Sequence, residues 1–204
     1  NFNANTLLSL VSGGNKAMTS IIRTDMDKVT KVVGIDELTT PHDFGGSLST
    51  GHPLWVSDTH FFMLDRAARE IQLWNRDGQL LSTLDVPTSV HHIFQPPAST
   101  MGVHEANVFY AVIEGNQQEQ VSPGVLRFHI KHNNLIQTAQ VDLHSYDPLN
   151  LDITKMGAHH ADFHPNGETI YIGSAEGHVF VINKNSMDIE AMVEAGTGAG
   201  HTTF

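Results

Sequence analysis

The stretch GAHHADFHPNGETIYIGSAEGHVFVIN, residues 157–183, holds three short runs rich in Ile, Val, Phe and Tyr, separated by HPNG (164–167) and EG (176–177). Gly, Asn and Pro between apolar runs of strand length are the signature of an antiparallel meander. With the turn NS and the run DIEAMVEAG (188–196), the stretch predicts one four-stranded sheet: HHADF, TIYIGSA (169–175), HVFVINK (178–184) and the final run. Two adjacent histidines open that sheet, in a chain with 14 histidines against 11 Lys+Arg.

The same order recurs upstream. HDF (42–44) leads to HFFMLDR (60–66), EIQLWN (70–75), the turn RDG and QLLSTLDV (79–86). HHIF (91–94) leads to NVFYAVIEG (107–115), GVLRFHIK (124–131), the turn HNN and LIQTAQVDL (135–143). A unit of four strands repeating every roughly 40–60 residues predicts an all-β chain, a β-propeller of four-stranded antiparallel blades. Four blades fit in the chain as a single domain over 1–204: 201–204 with 1–35, then 36–87, 88–145 and 155–197. The chain starts with NTLLSLVSGG (5–14), AMTSIIRTD (17–25) and VTKVVGI (29–35), a blade without a first strand, and stops at GAGHTTF, a first strand without a blade. Two readings follow: a propeller closed by both termini, which removes exposed sheet edges, or a piece of a larger propeller. No helix is predicted; DRAARE (65–70) has helical propensity but is too short to stand alone.

Composition narrows the function. The 204 residues, 40% hydrophobic, are enough for one globular core. A formal charge of −11, from 22 acidic and 11 basic residues with no basic run, argues against nucleic acid as a partner. No window of 18 apolar residues predicts a membrane helix, and NFNANTLLSL lacks a signal peptide's charged start and cleavage site, so an exported protein would be present in its mature form. With no cysteine, a metal would be held by nitrogen and oxygen alone.

Aligning the units by their strands aligns a histidine with a following phenylalanine: His42-Asp43-Phe44, His91-His92-Ile-Phe94, His159-His160-Ala-Asp-Phe163 and His201-Thr-Thr-Phe204. Each copy opens a first strand, which in a propeller lines the central channel, so the histidines are expected to converge. Neutral imidazole is the commonest protein ligand for zinc and suits copper, so Zn²⁺, or alternatively Cu, is the expected ion. Alternation along an extended strand sends neighbouring side chains to opposite faces, so one histidine of each pair should ligate. The expected ligands are His42, His92, His160 and His201, with His91 and His159 as the fallback pair. Asp43 and Asp162 could orient an imidazole or ligate directly. A structural role, with each ring tying one blade to the next by hydrogen bonds, and a different polar ligand are the alternatives. Phe44, Phe94, Phe163 and Phe204 are expected in the core. His104 and His164 fall between first and second strands, His129 and His178 in third strands, His132 in a turn, and His52, His60 and His144 at the surface.

Other chemistry finds no support. There is no G-x-S-x-G elbow and no H-E-x-x-H, and SGGNK (12–16) reads as a hairpin turn rather than a phosphate loop. The acidic stretches DMD (25–27) and SYDPLNLD (145–152) lack the oxygen spacing of a calcium loop.

GAHHADFHPNGETIYIG and VEAGTGAGHTTF together resemble the YVTN and cytochrome-d1-type β-propeller superfamily, whose blades repeat an H-x-x-F-x-P-x-G-x-x-x-Y-V pattern. The match is best over 159–173, partial over 91–112 and 201–204, and loose over 42–66. Within that superfamily the axial histidines resemble those of the copper-holding propellers of nitrous oxide reductases and of periplasmic zinc chaperones that hand zinc to a binding-cassette transporter. The resemblance implies an extracytoplasmic zinc or copper chaperone or scavenger, periplasmic or secreted, partnered by a solute-binding protein or transporter. Lactone hydrolases share the fold, so the enzyme alternative is a lactonase-like hydrolase with an axial His and carboxylate.

Overall fold

The computed structural model describes residues 2–12, 18–34, 51–102, 104–146, 157–196 and 200–204. These residues form sixteen strands and one short 3-10 turn (Leu143–Ser145), with no α-helix among them. No helix among them is long and apolar enough to cross a membrane. The strands are β1 Phe2–Asn3, β2 Leu8–Ser12, β3 Met18–Arg23, β4 Lys28–Gly34, β5 Leu54–Trp55, β6 His60–Asp65, β7 Glu70–Asn75 and β8 Leu80–Asp85. They continue as β9 Val90–Phe94, β10 Val108–Ile113, β11 Gly124–Lys131, β12 Asn134–Asp142, β13 Ala158–Phe163, β14 Thr169–Ser174, β15 His178–Asn183 and β16 Ile189–Glu194. They build four sheets of four strands, each in sequence order: β1–β4, β5–β8, β9–β12 and β13–β16. The chain divides into two compact units, residues 1–92 with 132–135, and residues 93–131 with 136–204.

The turns show why these residues pair as they do. His132 and Asn133 link β11 to β12 with φ of 51° and 62°, positive at both central positions, which matches the twist of a two-residue hairpin. Between β13 and β14, Gly167 takes φ +73° and donates its N–H to the His164 carbonyl at 2.8 Å; a side chain there would also run into Thr100. DRAARE forms the β6–β7 turn, not a helix. The carboxylate of Asp65, 2% exposed, accepts from the Ala67 and Ala68 N–H groups at 3.0 and 2.9 Å, and Arg69 closes the turn at φ 61°.

Three sheets share an irregularity invisible in composition. Register slips by one residue between the third and fourth strands at Ile21/Ile22, Leu73/Trp74 and Val181/Ile182. Each slip leaves one residue of the fourth strand (Thr30, Leu81 or Glu190) without a partner. A bulge at the same place in three sheets increases the twist of the last strand, a recognised way of blunting a sheet edge. It is independent evidence that the sheets are copies of one unit.

Three first strands depart from expectation, and in one of them, HTTF, residues 201–204 form no strand. The β1–β4 sheet has a short first strand of its own, because Phe2 and Asn3 pair with Ser9 and Leu8. In the β5–β8 sheet, Leu54–Trp55 is the first strand, paired with Phe62 and Phe61; HDF (42–44), expected there, lies outside the described residues.

In the first unit Leu8, Leu10, Ile21, Val33, Phe61, Met63 and Trp74 form the core joining its two sheets. In the second, Phe94, Tyr110, Val125, Phe163, Ile170, Ile172 and Phe180 are among the residues that do so. Phe94 and Phe163, equivalent in the two motif copies, pack with ring centres 5.5 Å apart. Phe204 breaks the pattern. It is 62% exposed and lies edge-on against His164 and Tyr171, at 5.3 and 5.1 Å, instead of in the core.

A buried cation also fastens the second unit. The Lys184 side chain is 3% exposed, with Nζ 2.8 Å from Glu105 Oε1 and 3.3 Å from Glu168 Oε1. Its carbonyl accepts from Arg127 at 2.9 Å. Burial pulls the Lys184 ammonium down, but the two carboxylates outweigh it and hold its pKa above the ordinary lysine value. The Lys184 hydrogen bond, helped by the Gly102 N–H, holds Glu105 below the ordinary carboxylate range. Glu105 therefore adds stability that is present above the ordinary carboxylate pKa and lost as pH falls through its depressed value; Lys184 adds stability present below the ordinary lysine pKa and lost as pH rises through its raised one. Glu105→Gln with Glu168→Gln strands the ammonium and should cost about 2 kcal/mol, discounted because both carboxylates reach solvent. Lys184→Met should cost less, since it leaves no buried charge behind. Urea titrations across pH should show both limbs flattened in the double variant.

Candidate metal centre

β13 carries His159 and His160 at the point where its pairing with β14 fails. Ala158 pairs with Ser174 and Ala161 with Ile172, so two residues of β13 face the single Gly173. A bulge of this kind re-aims side chains. The His159 ring lies 4.7 Å from that of His201, nearly perpendicular, and the His160 ring 5.0 Å from it at 28°. Both histidines of the pair therefore reach one neighbour, which corrects the expectation, based on strict alternation, that they point apart.

Glu114 lies beside His159. It follows the apolar strand VFYAVI, is 7% exposed, and its carbonyl accepts the Ala158 N–H at 3.2 Å, which ties the end of β10 to the start of β13. Its carboxylate and a ring nitrogen of His159 lie within 4.8 Å of each other. Sequence reading missed Glu114. The available signal was a glutamate directly after a wholly apolar strand and before Gly115, which turns at φ +81°. At the same end of this sheet, Ser174 Oγ and His178 Nδ1 are buried with no hydrogen-bond partner among the described residues.

Two more of the expected ligands belong to β9. His91 and His92 sit on β9, half-buried and 6% exposed, with ring centres 5.9 Å apart. His52, read from sequence as surface, is exposed yet packs its ring 5.0 Å from that of His91 and donates its N–H to the His91 carbonyl at 3.2 Å. The first unit thus has a histidine group of its own. His42 and Asp43 lie outside the described residues. Asp162 accepts the N–H of Phe163 at 2.8 Å through one carboxylate oxygen.

Imidazole and carboxylate, the donors present in the second unit, suit zinc and copper. Two imidazoles on one tetrahedral zinc, with Zn–N of about 2.0–2.1 Å, have ring centres about 5 Å apart, the spacing that His201 keeps from both of its neighbours.

No protein-family model and no curated protein sequence matches the chain. Solved structures do. The β-propeller domain of Cps50 (Swd1) from Myceliophteria thermophila has a TM-score of 0.69 at 13% identity, covering 100% of this chain and 57% of that one. The fold is a β-propeller. A protein from Lactobacillus plantarum has a TM-score of 0.70 at 12% identity over 96% of this chain and 56% of its own. The propeller chain described here thus spans a little over half the length of these two structures, and identities this low concern the fold alone. In propeller terms the four sheets are blades, and both histidine pairs stand on first strands, β9 and β13.

Proposed function

We propose that this propeller binds a transition-metal ion, zinc first and copper second, through His159, His160 and His201, with Glu114 beside His159. The observation that carries the reading is the bulge in β13, which sets two adjacent imidazoles 4.7 and 5.0 Å from a third. Exposed His201 is the donor on the solvent side, and buried Glu114 the one on the core side. An ion held so close to solvent can be passed on, which suits a chaperone or scavenger. The superfamily resemblance supports an extracytoplasmic setting and a transporter or solute-binding protein as recipient.

A second reading rests on the same carboxylate. Glu114 next to His159 is an imidazole–carboxylate pair able to activate water, as a lactonase-like hydrolase requires. One experiment separates the two. Protein purified without a metal-affinity tag is analysed for zinc and copper and assayed on an acyl lactone. About one equivalent of metal without turnover supports binding; turnover supports the hydrolase; neither result overturns both.

A further inference from the structure

The first unit holds a cavity of about 300 Å³ lined by Thr6, Leu8, Ile21, Arg23, Thr30 and Arg76. We propose that it binds a small organic carboxylate with a short apolar chain. Its floor is apolar, Leu8 being 9% and Ile21 2% exposed. Its volume is at the lower end for ligand sites, which combine apolar walls with a few placed polar groups.

The polar groups are not equivalent. Arg23 is already engaged, its Nε and NH2 groups donating to the two Asp25 oxygens at 2.9 and 2.5 Å. Arg76 is not. Its backbone N–H donates to the Thr59 carbonyl at 2.8 Å, while its guanidinium has no hydrogen bond or ion pair among the described residues. Thr6 Oγ1 is buried and has no hydrogen-bond partner among the described residues. Thr30, the bulged residue of β4, donates its hydroxyl to the Ile21 carbonyl at 3.1 Å and keeps lone pairs for the cavity. With Arg23 neutralised by Asp25, the lining carries one net positive charge and one buried hydroxyl lacking an acceptor, in a chain whose formal charge is −11. A carboxylate answers both needs, bidentate on Arg76 with a hydrogen bond from Thr6, while its alkyl chain covers Leu8 and Ile21. This site is independent of the metal centre.

The test is an NMR titration of the full chain with sodium hexanoate, hexan-1-ol and inorganic phosphate. Hexanoate should give saturable shifts at the amides of Thr6, Leu8 and Arg76, with hexanol binding at least about 10-fold more weakly. Arg76→Gln should weaken hexanoate about 10-fold or more without changing the melting temperature, because the side chain sits in an exposed turn. Thr6→Val, which removes a hydroxyl without a hydrogen-bond partner among the described residues, should weaken hexanoate about 2- to 10-fold while leaving the fold as stable or more so. No saturable shift at those amides, equal affinity for hexanol, phosphate binding as tightly as hexanoate, or unchanged affinity in both variants would each overturn the assignment.

Discussion

His201→Ala should strip the chain of tight zinc. The His201 ring lies 4.7 Å from that of His159 and 5.0 Å from that of His160, so its removal leaves two adjacent imidazoles on one strand and the Glu114 carboxylate. Losing an outer-shell partner of a zinc ligand typically costs about 10–100-fold in affinity, and losing the ligand itself should exceed that. His159→Ala and His160→Ala should each weaken zinc by more than about 100-fold, whereas His132→Ala, in the exposed β11–β12 turn, should change it little. Competition against a chromophoric chelator measures all four. Bound zinc also stabilises the fold by mass action, about 4 kcal/mol at a thousand times Kd, so a chelator should lower the wild-type melting temperature and leave that of His201→Ala unmoved. Ligation needs a deprotonated imidazole, so zinc should be released on acidification. If His159→Ala and His160→Ala bind as tightly as wild type, the bulge does not build a site.

Phe163→Ala should cost about 3–5 kcal/mol, the largest effect expected of any single substitution in the second unit. Phe163 is 2% exposed on β13, and its ring meets Phe94 of β9 at 5.5 Å and Tyr110 of β10 at 5.0 Å. Truncation opens a cavity between two blades, where rings held by stiff strands relax little. Phe204→Ala makes the control, with an expected cost below about 1 kcal/mol, because an exposed ring loses little buried area. Urea denaturation with an unchanged slope would attribute the difference to stability alone. Equal costs for the two variants would contradict the packing.

Much of the architecture was legible because its signals are local. The runs TIYIGSA and GVLRFHIK and the turns HPNG, EG and HNN mark strands and hairpins through residue preferences that act within a few positions, and β11 and β7 form over the residues expected of them. Phe94 and Phe163 were recognisable as core, since a large apolar side chain at the same place in repeated units must pack against its copy. Where the signal was thin, reading failed. Leu54–Trp55 is too short to stand out as a strand, and HDF was aligned in its place by likeness to better copies.

By itself, then, the sequence determined the class of fold, the number of sheets and the presence of histidine pairs on two first strands. Only the tertiary structure decided how those histidines are used. Alternation predicts opposite faces for His159 and His160, and a single extra residue in the ladder opposite Gly173 cancels it. No residue preference announces that bulge, because it comes from pairing with β14 rather than from β13. Glu114 and His52 were passed over for the same reason. Each becomes a neighbour of a histidine only through backbone bonds, Ala158 N–H to Glu114 and His52 N–H to His91, that join residues about forty positions apart.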